Sequence, residues 1–327
     1  MSISSSNENQ LTLLLKQIRY EAKNINSYEF VDPDGNELPG FTAGSHIDVC
    51  IGPGLTRQYS LSNDPCETHR YVVTVLKDES GKGGSKALHQ NLKAGDMIQV
   101  SAPRNHFELD ASCKKALLLA GGIGVTPIKS MAHQLMAQGI PFDLHYCAKD
   151  PSYAAYVDEL QSFSNETNSV YFHYDQAENS SRLDIAELLK EQAVDQQLYF
   201  CGPPGFMKAC KEGSIHWAQG SVHFEHFQAP VIEKAANTTS SGDYIIVLGK
   251  SGAEISVSGG ASVLEVLSEN GIEVSRSCES GLCGACRVSY SEGEIDHQDF
   301  ILSDDEKNCE FTACVSKVIS PRVVLDL

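Results

Sequence analysis

Three rhythms of apolar and polar positions follow one another along the chain. From residue 11 to 110 the apolar positions alternate or cluster in short β-rich runs: LTLLLKQIRYE, HIDVCI, RQYSLS, RYVVTVLKD and MIQVSAP. The turn-forming stretches VDPDGNELPG and IGPGLT break them, and strands at this spacing predict a small antiparallel β-barrel over residues 1–110. From Cys113 to Phe227 the rhythm changes to strand and helix in alternation, the mark of a parallel sheet, over residues 111–228. Its predicted strands are KALLLAG, FDLHYCA, SVYFHY and QLYFCG, with helices over residues 126–136, 153–163 and DIAELLKEQ, and a last helix before HFEHF. A polar stretch, APVIEKAANTTSSGD, reads as a tether over 229–242. Beyond it a hairpin, DYIIVLGKSGAEISVSG, and an amphipathic helix, ASVLEVLSENG, open a third domain over 243–327.

Length and composition agree with several soluble domains: 327 residues, 41% apolar and 21% charged. No apolar run reaches the roughly 18 residues that span a bilayer. The start, MSISSSNENQ, carries neither a basic nor an apolar signal region. Eleven cysteines in that setting predict reduced thiols, cofactor ligation and a cytoplasmic protein. The net charge of −18 opposes nucleic acid and anionic membranes as partners. Half of it sits at the end of the chain, where 15 acids against 6 bases leave −9 from Asp243 onward.

The most specific chemistry lies in SCESGLCGACR, where Cys278, Cys283 and Cys286 stand at C-x4-C-x2-C spacing and Cys314 follows 28 positions later. Four thiolates so spaced suit a plant-type [2Fe–2S] cluster, and Ser280, Gly281, Gly284 and Ala285 let loop amides approach its sulfurs. A structural zinc site is the alternative, although zinc knuckles favour two C-x2–4-C pairs and only one is present. A disulfide framework needs an oxidising compartment for which nothing speaks. Cys309 is the rival fourth ligand, set aside because it follows the polar DDEKN whereas Cys314 lies in the apolar FTACV.

Two further constellations suit nucleotides. In the barrel, Arg57-Gln58-Tyr59-Ser60-Leu61 offers a guanidinium for a phosphate, an aromatic ring, and a hydroxyl for a ring nitrogen. An ordinary exposed strand accounts for these five residues equally well. Gly81 to His89, GKGGSKALH, is a glycine-rich entry to a helix that would present amides to an anion, and Thr74-Val75-Leu76 precedes it on a strand. In the parallel-sheet region, Gly121-Gly122-Ile123-Gly124-Val125-Thr126-Pro127 and Cys201-Gly202-Pro203-Pro204-Gly205-Phe206-Met207 both follow strand ends, so they can line one crevice. A tight turn without a ligand, and a packed cysteine at Cys201, remain the plain alternatives. Asp150, at the end of the second strand, can accept from a ribose 2′-hydroxyl, while Lys149 beside it favours a 2′-phosphate.

Taken together these motifs resemble the phthalate dioxygenase reductase family. SCESGLCGACR, EGEIDHQDFILSDDEK and CVSKVISPRVVLDL carry the likeness at the end of the chain, RQYSLSND, TVLKD and KGGS at its start, and GGIGVTP, CGPxxxM and FExF between them. The resemblance implies a β-grasp ferredoxin domain behind a flavin barrel and a nucleotide domain. It implies FMN, with its phosphate on Arg57, Gly83, Gly84, Ser85 and Lys86. The ring would meet Gln58, Tyr59, Ser60, Leu61 and Thr74 to Leu76. NADH would lie on Gly121, Gly122, Gly124, Val125, Thr126, Pro127, Asp150, Cys201, Gly202, Pro203 and Met207. Cys201 would abut the nicotinamide, Phe227 would flank the flavin ring, and Ser60 would reach its nitrogen. The cluster ligands would be Cys278, Cys283, Cys286 and Cys314. The implied activity is electron transfer from NADH through FMN and [2Fe–2S] to the terminal Rieske oxygenase of a two-component monooxygenase, dioxygenase or demethylase, met by transient electrostatic docking. Vanillate demethylase and carnitine monooxygenase reductases are similar proteins. A redox sensor or scaffold, or a general ferredoxin or cytochrome reductase, is the alternative function.

Overall fold

The computed structural model describes residues 10–79, 81, 83–176, 182–229, 242–258 and 260–327. The chain divides into two compact units, Met1–Phe227 and Gln228–Leu327. Most of the expected tether, residues 230–241, lies outside the described residues.

The first unit opens with β1 (Gln10–Ala22), β2 (Ile25–Val31), β3 (His46–Gly52), β4 (Leu55–Ser60), β5 (Tyr71–Leu76), α1 (Gly84–Asn91) and β6 (Met97–Ser101). The strands form one antiparallel sheet in the order β4-β3-β6-β1-β2-β5. Its two ends meet just past β4, where Leu61 bridges Val73 and the Ser62 amide donates to Val72 O at 2.8 Å. The sheet therefore closes into the barrel that the alternation predicts. Its interior is filled by the inward set Leu13, Leu15, Tyr28, Phe30, Ile47, Val49, Tyr71 and Val73.

The same unit continues with β7 (Lys115–Gly121), α2 (Val125–Gln138), β8 (Phe142–Ala148), α3 (Val157–Gln161), β9 (Ser169–Tyr174), α4 (Ile185–Leu188), β10 (Gln196–Cys201), α5 (Pro204–Gly213) and β11 (Val222–Glu225). These strands are all parallel, in the order β11-β10-β7-β8-β9. The order reverses between β7 and β10, which opens a crevice at their carboxyl ends. The helix expected over residues 153–163 is reduced to one short turn at Pro151–Tyr153 and α3. Tyr156 separates them in the left-handed region at φ 64°, a conformation that interrupts any right-handed helix.

Tyr156 holds this conformation because its buried phenol hydrogen-bonds Ser62 Oγ at 3.2 Å and Thr74 Oγ1. It belongs to a seam that joins the parallel sheet to the barrel. Lys129 of α2, only 6% exposed, donates to Ser62 O at 2.9 Å and pairs with Glu159 at 2.7 Å. Its ammonium also lies 4.5 Å from the Tyr156 ring centroid, and Ser130 Oγ donates to Asn63 O at 3.0 Å. Lys129→Met leaves a buried carbonyl and a half-exposed carboxylate without this cation. The expected cost is about 2 kcal/mol, reduced from the fully buried case by the exposure of Glu159, and read as a lower urea midpoint of unfolding.

The second unit holds β12 (Tyr244–Leu248), β13 (Glu254–Val257), α6 (Val263–Glu269), β14 (Arg287–Glu292), β15 (Ile295–Asp296), β16 (Glu310–Thr312), β17 (Lys317–Val318) and β18 (Arg322–Leu325). A mixed sheet runs β13-β12-β18-β14-β16, with β12 and β18 parallel and the other pairs antiparallel, as a β-grasp domain requires. A reciprocal cap between Ser262 and Glu265 starts α6, whose Val263, Leu264, Val266 and Leu267 pack on the sheet with Ile246, Phe311 and Val323. Among the described residues no helix is long and apolar enough to cross a membrane.

Candidate functional site

The barrel brings the first constellation together at the start of α1. β3 and β4 pair so that Val49 faces Arg57, Ile47 faces Tyr59 and His46 faces Ser60. Tyr59 packs on the barrel core, and Ser60 and Leu61 are buried. Arg57 lies across the amino end of α1: a Cβ on Gly84 would stand 2.6 Å from its Cγ and 2.7 Å from its Nε. Gly83 adopts φ 87° and offers no side-chain cap, so the first amides of α1 keep their donors for an anion beside the guanidinium. Lys86 is held nearby by Glu79 at 3.2 Å, and Ser85 Oγ accepts from the Asp78 amide at 3.0 Å. This donor set fits a phosphate monoester. On β5, the Thr74 and Tyr156 hydroxyls share a hydrogen bond, and Val75 O accepts from His89 Nε2 at 2.9 Å. Leu76 is half-buried at the end of the strand.

The second constellation meets in the crevice. The turn after β7 and the turn after β10 touch backbone to backbone: a Cβ on Gly124 would fall 2.2 Å from Cys201 O. A Cβ on Gly121 would fall 2.9 Å from Pro203 Cδ, and one on Gly202 would fall 2.6 Å from the Phe206 ring. Gly122 has φ 53°. Such contacts draw the two turns together, so that glycine backbone lines the carboxyl end of the sheet, a lining that fits a pyrophosphate. Val125, Thr126 and Pro127 are buried in α2, with Thr126 Oγ1 donating to Ile123 O at 3.0 Å, so any contact they make with a nucleotide is through their backbone. Met207 lies in the core against Leu119 and Phe200, and Phe206 takes the crevice side instead. Asp150 accepts from Ser152 N and Oγ at 2.8 and 2.6 Å through one oxygen.

Cys201 is fully buried, and burial followed by the charge of Glu225 raises its thiol well above the ordinary range. The thiol is therefore neutral where the turn after β10 meets Gly124. Phe227, 37% exposed, ends the unit two residues beyond Glu225. Glu225 itself lay outside the sequence-based site, although FEHF displayed it. Its carboxyl accepts from Ser60 Oγ at 3.4 Å and stands 3.9 Å from His46 Nδ1, and burial pushes it up to about 8.

In the second unit the four thiols stand as two pairs. Cys278 is bonded by the Cys283 thiol, which lowers Cys278 below the ordinary thiol range and raises Cys283. Cys286 and Cys314 are related in the same way, with Cys286 raised and Cys314 lowered. The Leu282 amide points at Cys278 Sγ at 3.4 Å and the Ala285 amide at Cys283 Sγ at 3.5 Å. Among the described residues no three His, Cys, Asp or Glu side chains converge on one ion's position. Two thiols on each of two irons is the [2Fe–2S] arrangement, and these residues fit it. Gly281, at φ 70°, must be glycine, since a Cβ would fall 2.8 Å from Val315 and 3.0 Å from Asp299 Cα. Asp299 fastens that contact by accepting from the Ile301 and Leu302 amides at 3.2 and 2.8 Å, while the Phe300 amide donates to Gly281 O at 3.1 Å. Cys309 is exposed, with its thiol toward Glu306 O at 3.7 Å.

Comparison with known proteins agrees with this geometry. Residues 245–318 match the 2Fe-2S iron-sulfur cluster binding domain, and residues 118–212 match the oxidoreductase NAD-binding domain. The chain is 43% identical over 324 residues to the tert-butanol monooxygenase / tert-amyl alcohol desaturase reductase subunit of Aquincola tertiaricarbonis, covering 97% of this chain and 96% of that one. It is 40% identical over 321 residues to the vanillate O-demethylase oxidoreductase of Acinetobacter baylyi, covering 97% and 99%. The solved structure of phthalate dioxygenase reductase superimposes with a TM-score of 0.70 at 38% identity, covering 97% of this chain and 98% of that one.

Proposed function

The chain belongs to the phthalate dioxygenase reductase family of flavin- and [2Fe–2S]-dependent oxidoreductases, and on that footing we propose that it is the NADH-dependent reductase component serving a terminal Rieske oxygenase. The domain division proposed with it is 1–110, 111–228, a linker over 229–242, and 243–327. The observation that carries the reading is the meeting of two nucleotide-shaped sites in one unit: the Arg57 and α1 phosphate cradle, and the Gly124 and Cys201 crevice. When bound, FMN accepts the two electrons of a hydride and the [2Fe–2S] centre hands them on singly. The protein's part is placement. Arg57 and the α1 amides fix the phosphate end of the flavin, and the barrel wall from Tyr59 to Leu61 takes its ring. Gly121, Gly124 and Gly202 let the dinucleotide spine lie against backbone. Cys201 sets the depth to which the nicotinamide can enter, and Phe227 stands where a ring must yield to it. Cys278, Cys283, Cys286 and Cys314 would hold the [2Fe–2S] centre.

Asp150 keeps one carboxyl oxygen for a ribose 2′-hydroxyl while the other is tied to Ser152. The test is direct: flavin released from the purified protein should run as FMN on HPLC, and cytochrome c should be reduced faster with NADH than with NADPH. Asp150→Ala should narrow that preference. Stoichiometric FAD, or a preference for NADPH, would overturn the corresponding assignment.

The relatives are reductase subunits of oxygenase systems. We assign the docking face to the acidic second unit, where Glu292, Glu294, Asp304 and Asp305 are exposed. Asp299 is buried, and Glu306 is engaged by Arg287 at 2.6 Å. Brief electron-transfer encounters favour small, steered interfaces. The second-order rate with the oxygenase should fall steeply as the Debye length shrinks from about 30 Å at 0.01 M salt to about 8 Å at 0.15 M. NADH-to-flavin transfer, within one unit, should change far less. Stopped-flow traces of both steps across that range decide it, and a salt-independent intermolecular step removes the docking role.

A further inference from the structure

Beside Ser60 lies a buried pair that the nucleotide-binding motifs do not account for. His46 opens β3 and Glu225 closes β11, so the barrel and the parallel sheet each contribute one member. His46 is fully buried and neither ring nitrogen has a hydrogen-bond partner. The Glu225 side chain retains 11% exposure. Its Oε2 accepts from Ser60, which leaves Oε1 to face His46 Nδ1 at 3.9 Å, a gap that a small turn of the carboxyl closes.

Every element packed on the pair bears on its charge. From the segment after β6, Arg104 exchanges backbone hydrogen bonds with His46 at 2.8 and 3.0 Å, and its guanidinium donates to Asp48 of β3 at 2.7 Å. The His106 ring lies 5.6 Å from that of His46. β4 supplies Ser60, β10 supplies the neutral Cys201 thiol, and next to Glu225 stands His226, 3.1 Å from Lys211 of α5. Burial first, then Arg104 and His106, drive His46 well below its ordinary range, so it is uncharged at neutral pH. Burial alone outweighs Ser60 and raises Glu225 to about 8, so it carries a proton there.

We propose that Glu225 and His46 share one proton, with His46 as the positioning residue that accepts from the Glu225 acid and thereby keeps the wall beside Ser60 uncharged during hydride transfer. This rests on the reductase reading above, and adds to it a gate set by pH. A hydride leaving the nicotinamide would carry negative charge to the flavin ring beside Ser60, and an ionised carboxylate next to Ser60 would oppose its arrival there. The pair is neutral below the Glu225 titration and anionic above it.

Infrared spectroscopy of the purified holoenzyme, titrated from about pH 6 to 9.5 without NADH, tests the pair directly. The wild type should show a protonated-carboxyl carbonyl band that disappears with a midpoint near 8 and is missing from Glu225→Gln. In His46→Leu the band should move to higher frequency, the mark of an acid without its acceptor, and His46→Gln should move it back. Thermal unfolding gives a second reading. A carboxyl raised in the folded state contributes stability that is whole below the ordinary carboxylate range and is lost as pH climbs to about 8. Wild-type Tm should therefore fall from pH 5 to 8 more steeply than that of Glu225→Gln. In stopped flow, NADH reduction of the flavin should slow above pH 8 in the wild type and not in Glu225→Gln. A band indifferent to Glu225→Gln, or unmoved in His46→Leu, overturns the shared proton. A protein that shows the band but never oxidises NADH would fail the reductase reading and leave the pair standing.

Discussion

Cys314→Ser abolishes the EPR signal of the reduced cluster and with it cytochrome c reduction, while NADH still bleaches the flavin; Cys309→Ser changes none of the three. That outcome is expected because Cys314 is the thiol hydrogen-bonded to Cys286, with the Gly281 amide also directed at it. A serine there leaves one iron with a single thiolate. Cys309 lies in the same short stretch of chain but is exposed and turned toward Glu306. The flavin step survives because every residue assigned to it belongs to the other unit. Loss of the signal in Cys309→Ser with retention in Cys314→Ser would reverse the assignment.

Gly124→Ala should be the most damaging single methyl group in the first unit's crevice. Its Cβ would meet Cys201 O at 2.2 Å, Cys201 C at 2.4 Å and Gly202 N at 2.7 Å. All three are backbone atoms, so no side chain can swing aside and the turn after β10 has to retreat. Overpacking of this kind costs about 1–3 kcal/mol. The kinetic effect is larger, since a misplacement of about 1 Å at a reacting centre is worth on the order of 100-fold. We expect kcat/KM for NADH to fall by about that factor while FMN content and the cluster EPR signal stay at wild-type levels. Wild-type NADH kinetics in this variant would show that the nucleotide does not use the crevice.

The cluster domain is legible because covalent spacing is itself the signal: three thiols within nine residues leave few ways to fold the loop between them. The crevice is legible for a related reason, since glycines at strand ends advertise backbone contact. What escapes is what depends on distant residues meeting. His46 in GSHIDV is unremarkable in its own window and Glu225 is displayed only as the middle of FExF, and only the packing of barrel against sheet makes them a pair. Met207 and Thr126 show the converse. They sit inside the crevice motifs, yet helical periodicity turns Met207 into the core and buries Thr126. The shortening of the helix over residues 153–163 was hidden too, because Tyr156 takes its left-handed φ to satisfy a tertiary contact with Ser62 and Thr74, not a local preference.

The two pairs of thiols differ in how much chain must be closed to bring each together. Cys278 and Cys283 are five positions apart, so one turn of loop brings them together. Cys286 and Cys314 are separated by 28 and meet only when β14, β16 and the intervening segment have found their places. Closing the longer span costs about 1.5 kcal/mol more in chain entropy. The first pair can therefore be closed by one local loop, whereas the second needs the chain to return through residue 314. A chain that stops near residue 300 contains Cys278, Cys283 and Cys286 and lacks Cys314, so the ligand set is complete only when the chain has returned through residue 314.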